Sequence, residues 1–145
     1  MRVAYFAMIL TGSAATGLAL GQQAALLRDL DSLSPITLSR AELQRVLPRA
    51  AMSRTTVNGS VQRWTNDMDG TFVISSSNRP RSGVSYTAPG RWHVSEDGRY
   101  CVLIEWRVSK TEEWCRFVIR TSAGYYTARS VKTGAEPVYP ISIGG

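Results

Sequence analysis

Gly90-Arg-Trp-His-Val-Ser-Glu-Asp-Gly-Arg-Tyr-Cys-Val-Leu-Ile-Glu-Trp-Arg107 is followed by a polar tip, then by Trp114-Cys-Arg-Phe-Val-Ile-Arg120 and Gly124-Tyr-Tyr126. The stretch holds three strand-like runs, both cysteines and three of the four tryptophans. Side chains alternate faces along a strand. Tyr100, Val102, Ile104, Trp106 and Val108 therefore share one face, against Cys101, Leu103, Glu105 and Arg107 on the other. On the returning strand Cys115, Phe117 and Ile119 oppose Trp114, Arg116, Val118 and Arg120. If Cys101 faces Cys115, then Val102 faces Trp114 and Leu103 faces Glu113. That register centres the turn near Val108, whereas the polar tip Ser109-Lys-Thr-Glu-Glu113 favours a later centre. A bulge is one way to absorb the difference, and both registers stay open at this level.

The same texture runs upstream. Thr55-Thr-Val57 leads into Asn58-Gly59, the strongest short hairpin signal, and Ser60 to Trp64 alternates after it. Asp67-Met-Asp-Gly70 turns into Thr71-Phe-Val-Ile-Ser75. Residues 75–82 read as a loop, Gly83 to Thr87 as a short strand, Ala88-Pro89-Gly90 as a turn, and Arg91 to Ser95 as the return. Downstream, Tyr125 to Arg129 forms a strand. The tail Glu136-Pro-Val-Tyr-Pro-Ile-Ser-Ile143 reads as an edge strand whose prolines discourage further pairing. Asp69-Gly-Thr-Phe, Asp97-Gly-Arg-Tyr and Ala123-Gly-Tyr-Tyr recur at similar spacing, each a turn followed by an aromatic strand start. One helix precedes the strands. Ser39 caps it, Glu42 completes a capping box, Leu43, Val46 and Leu47 form its apolar stripe, and Pro48 ends it. The expected fold is mainly β: an antiparallel meander closing into a small barrel or sandwich, with the short N-terminal helix packed on it.

Residues 1–21 have the form of a signal peptide. Arg2 gives the positive start, Val3 to Leu10 the apolar core, and Ala19-Leu-Gly21 the small-residue cleavage site. Gln22 follows, where a lipoprotein would need cysteine. Residues 22–36 form a lead-in that is helical or mobile, and 37–145 a single β-rich domain. Export leads to an oxidising compartment, periplasmic or extracellular, with no stable membrane anchor after cleavage. There the two cysteines, Cys101 and Cys115, pair as a structural disulfide. Their spacing does not suit a redox dithiol, and two cysteines with one histidine are too few for zinc.

The chain carries a net charge of +6 with only two lysines, Lys110 and Lys132. Its arginines are scattered, which reads as a solvated basic surface rather than a nucleic-acid site. No phosphate loop or nucleophile elbow occurs. His93 on its strand reads as packed or surface-facing. The acids Asp67, Asp69, Glu96 and Asp97 sit at turns, where they shape the backbone. Glu105 stands apart as a strand acid between Ile104 and Trp106, facing outward or paired with an arginine. Trp64, Trp92, Trp106 and Trp114 read as core, with a tryptophan–arginine binding platform as the alternative. No catalytic residue, metal site or cofactor is indicated.

The framework Gly90-x-Trp-x-Val, Asp97-Gly-x-x-Cys and Cys115, with the capped helix before it and Gly124-Tyr-Tyr after it, resembles a family of small exported proteobacterial proteins known only as a domain of unknown function. The likeness runs from about Leu38 to Arg129. It implies a Gram-negative envelope location and the Cys101–Cys115 bridge, and it carries no activity or site residues. The functional expectation is a non-enzymatic binding module for a small ligand, an envelope polymer or an envelope protein partner. The alternative is a hydrolase of an envelope polymer using Glu105 or His93.

Overall fold

The computed structural model describes residues 25–77, 85–107 and 110–144. The expected signal peptide lies outside them. Two short strands, β1 (Ala25–Leu26) and β2 (Ile36–Thr37), flank a 3-10 helix at Leu27–Leu33, and helix α1 follows at Arg40–Val46. Eight further strands run in sequence: β3 (Ala51–Thr55), β4 (Val61–Thr65), β5 (Thr71–Ser77), β6 (Ser85–Val94), β7 (Tyr100–Ile104), β8 (Glu112–Thr121), β9 (Gly124–Ala128) and β10 (Pro137–Gly144). Each pairs antiparallel with the next, and β10 pairs with β3, closing an eight-stranded up-and-down barrel. Closure removes the unpaired edges that an open sheet would expose.

The interior is built from alternate residues of successive strands. Met52, Trp64, Phe72, Ile74, Ala88, Tyr100, Val102, Ile104, Val118 and Ile141 form one buried cluster. Helix α1 closes one end by inserting Leu43 and Leu47, both fully buried. Its start is set as the sequence predicts: Ser39 Oγ accepts from Glu42 N–H, and the Glu42 carboxylate accepts from Ser39 N–H at 2.8 Å. That reciprocal pair holds the Glu42 carboxyl below its ordinary pKa.

The barrel is staggered, and the stagger explains the lead-in. Strand β3 pairs with β10 only over residues 51–53, and β7 pairs with β8 only as far as Arg116. The open edges beyond are taken by β1, against Pro137 and Val138, and by β2, against Ile119 and Arg120. Between these two strands the 3-10 helix lays Leu30 over Ile119, Ala128 and Val138, forming a second apolar cluster on the outside of the barrel. From residue 25 onward the lead-in is thus not an α-helix but a strap across β8–β10.

Several sequence expectations are corrected. Ala88-Pro89-Gly90 does not turn; β6 runs straight through it, pairing Phe72 with Gly90 and Val73 with Pro89. A Cβ at Gly90 would stand 2.1 Å from Phe72 Cε2, so the glycine makes room for the ring rather than bending the chain. The strand that starts at Thr71 does not stop at Ser75; Ser76 and Ser77 also belong to β5 rather than to a loop. The tail is not an edge strand but the strand that closes the barrel; Pro137 and Pro140 fall in the half of β10 that β3 does not pair. Strand β7 ends at Ile104, short of Val108, which lies outside the described residues. Cys101 is the direct partner of Cys115, and the register conflict disappears because β7 ends at Ile104 and β8 begins only at Glu112. The cysteines form the expected disulfide.

Candidate functional site

Towards the α1 end the interior is sealed by a small polar network. Asn66, fully buried, accepts from the Tyr100 hydroxyl at 2.7 Å and from Trp64 Nε1 at 3.1 Å, and it donates to the Leu47 carbonyl at 3.1 Å. This ties the last turn of α1 to the barrel floor. Burial raises the Tyr100 hydroxyl to about 12 despite its hydrogen bonds from Trp64 and to Asn66. Every polar group here is partnered, so this end is structural.

The other half of the lumen differs. Arg54 of β3 and Glu112 of β8 come from strands that are not neighbours and form an ion pair across the barrel. Arg54 Nε also donates to Gln62 at 2.7 Å, and Trp106 Nε1 donates to Glu112 at 3.1 Å. Burial pushes the Glu112 carboxyl up, but the Arg54 charge and hydrogen bond, with Trp106 and Trp114, outweigh it and leave the pKa lowered. Tyr86 sits edge-on against Trp106 at the rim, 5.2 Å between ring centres.

Arg116 shares the inward face of β8 with Trp114 and Val118, opposite Tyr100 of β7. Its guanidinium carbon lies 4.9 Å from the Trp114 ring centre and 4.6 Å from that of Tyr139, so an aromatic ring contacts it from each of two strands. Its one hydrogen bond, to Thr127 Oγ1, is long at 3.5 Å, and its Nε is buried with no acceptor among the described residues. Burial first, and then the charge of Arg54, lower its pKa. Arg54 has a carboxylate at bonding distance; Arg116 has none among the described residues. The Ser76 hydroxyl, deep on β5, also has no partner among the described residues.

A cleft of about 820 Å³ lies beside this half of the barrel, where β3 and β10 part. Arg54, Tyr125, Tyr126, Tyr139, Ile141 and Ile143 are among the residues lining it. Tyr139 joins cleft and lumen, since the same side chain lines the one and packs on Arg116 in the other. A second hollow, of about 640 Å³, lies along β3–β5 and includes Arg63, Asp67 and Val73.

The residues singled out in the sequence fall in different places. His93 pairs with Cys101 on the outer face and is exposed. Glu105 is also exposed, with its N–H bonded to the Pro89 carbonyl. Pro89 and His93 are four residues apart on β6, about 13 Å, so the two candidates do not meet. Asp69 and Asp97 serve their turns, Asp69 accepting from Thr71 and Asp97 from Ser95. Among the described residues no group of three or more His, Cys, Asp or Glu side chains is placed to hold a metal ion. Of the tryptophans, Trp64 is core, Trp92 packs at its edge and donates to the Asp67 carbonyl, and Trp106 and Trp114 face the polar lumen.

The reading of the arginines as surface charge missed Arg54 and Arg116, and with them Gln62; Glu112 is among the carboxylates conceivable for catalysis from sequence, but its pairing with Arg54 was not foreseen. The signal was present in the β8 alternation, which places Arg116 on the face of Trp114 and Val118. Comparisons with protein-family models, with curated proteins and with solved structures find no match for this chain.

Proposed function

We propose that this chain is an exported, non-enzymatic binding protein that takes a small ligand into its barrel. The observation that carries the reading is the half-polar lumen, whose buried Arg116 Nε and Ser76 hydroxyl have no partner among the described residues, beside a cleft of about 820 Å³ that shares the wall residues Arg54 and Tyr139 with it. A barrel of eight strands is wide enough either to be filled by side chains or to hold one small ligand. Here one half is filled, by α1, Phe72 and Tyr100, and the other carries aromatic walls with few, convergent polar groups, the usual composition of a ligand site. The disulfide suits an oxidising compartment, and among the described residues no helix is long and apolar enough to cross a membrane. Those two facts and the leader-like residues 1–21 together favour periplasmic or secreted localisation.

Native mass spectrometry of the protein purified from its own cell envelope tests the reading. A defined small-molecule adduct, lost on unfolding, supports it. A bare chain that instead co-purifies with one stoichiometric protein would replace it with an adaptor or inhibitor role.

A further inference from the structure

We propose that the barrel binds an organic monoanion, its carboxylate against the guanidinium of Arg116 and its apolar body in the cleft between β3 and β10; the proposal rests on the binding reading above. The charge count inside the lumen points to one negative charge. Arg54 is paired directly with Glu112, while Arg116 has no carboxylate within ion-pair distance among the described residues and feels the Glu112 charge only from farther off. Arg116 is half-buried with its Nε fully covered, and a cation drawn partly out of water without a partner is costly to a fold unless something compensates it. A single carboxylate compensates it; a dianionic phosphate would leave excess negative charge beside Glu112. The aromatic contacts from Trp114 and Tyr139 also hold the guanidinium plane in place. A planar guanidinium can bond a carboxylate through two parallel hydrogen bonds.

The rest of the ligand follows from the walls. Tyr125, Tyr126, Tyr139, Ile141 and Ile143 offer apolar and aromatic surface over a volume suited to a small organic molecule. Neither Glu105 nor His93 lines this space, and the acid beside it, Glu112, is already paired with Arg54. The site therefore suits holding an acid rather than transforming it.

The test uses the mature chain and two probe pairs: dodecanoate against dodecanol, and 3-phenylpropionate against 3-phenylpropanol. Binding is followed by calorimetry and by the fluorescence of Trp106 and Trp114. The expected result is one acid bound per chain in at least one pair, with the matching alcohol about 10- to 100-fold weaker, the worth of a charge-assisted hydrogen bond. R116M should bring the acid down to the level of its alcohol, and R116K, which keeps the charge without the planar fork, should fall between. Equal binding of acid and alcohol by the wild-type chain would overturn the anion inference while leaving a binding barrel. Failure of all four probes to bind would overturn the anion inference as well, and the native mass spectrum would then decide the binding reading separately.

Discussion

Replacing Gly90 by alanine tests whether the barrel wall is built as described. The new Cβ would lie 2.1, 2.2 and 2.8 Å from three carbons of the Phe72 ring, Cε2, Cζ and Cδ2. Ordinary carbon contacts are about 3.5–4.0 Å, so the ring must move by more than about 1 Å. It has little room: Phe72 is fully buried in the central cluster, with the Trp64 ring centre 5.9 Å away. Overpacking of a core costs about 1–3 kcal/mol, and contact with three atoms of a wedged ring places G90A near the top, about 3 kcal/mol. For a domain of this size that is on the order of 10 °C in Tm. Urea unfolding followed by tryptophan fluorescence reads the loss directly. The double variant F72L/G90A supplies the control, because removing the ring relieves the clash; its loss should be smaller than the sum of the two singles by about 1–2 kcal/mol. A G90A midpoint indistinguishable from wild type, or strict additivity in the double variant, would refute the account of Gly90 as the seat of Phe72.

Three further outcomes are expected. Changing both Cys101 and Cys115 to serine should cost about 3 kcal/mol, the worth of closing a loop of this length, and reductant should do the same to the wild-type chain, as read by urea midpoints. Tyr100→Phe should cost about 1 kcal/mol for one hydrogen bond and change the alkaline limb of stability. Because the folded hydroxyl titrates near 12 and the unfolded one near 10, the wild-type chain is favoured by a neutral Tyr100 below about pH 10 and loses that contribution as pH rises towards the folded value; the variant should lack that loss in Tm-against-pH scans. Glu112→Gln should act on the acid limb. The Glu112 carboxyl is held low in the folded chain, so its contribution is present above the unfolded pKa, about 4.3, and is lost as pH falls through the lower folded value. The variant should be less stable at pH 7 and less sensitive to acid over that window.

Much of the architecture could be read from local chemistry. Asn58-Gly59 marked a hairpin, and the recurring Gly70, Gly98 and Gly124 all adopt positive φ at strand connections. Their spacing records the meander itself: the connections β4–β5, β6–β7 and β8–β9 occur once every two strands and so fall at the same end of the barrel. The capping box fixed the start of α1, and the alternation around Cys101 and Cys115 contained the correct register. The errors came where a residue answers to a distant neighbour. Ala88-Pro89-Gly90 has turn composition, yet Gly90 serves Phe72 across the sheet. Pro137 and Pro140 have edge composition, yet they fall where the stagger removes the need for β3 pairing.

The candidate site was illegible for a related reason. Arg54 and Glu112 are 58 positions apart and meet only because the sheet closes on itself. Arg116 was visible as an inward position on β8, but a charge inside a barrel contradicts the default reading of arginine as surface. His93 attracted attention through residue type and Glu105 through its place between Ile104 and Trp106, yet both are exposed, His93 on the outer face of β6 and Glu105 just past the end of β7.

The unfolding free energy of the ligand-free R116M variant tests the central claim most directly. If Arg116 is kept for a ligand, its desolvated charge contributes nothing net to the bare fold, and methionine can fill the same space between Trp114 and Tyr139 without that charge. Stability equal to wild type or up to about 1 kcal/mol greater, together with lost acid binding, is the predicted result. A loss of about 3 kcal/mol or more, the cost of breaking a buried pair, would make Arg116 a structural element of the barrel and contradict the assignment of the polar lumen as a binding site.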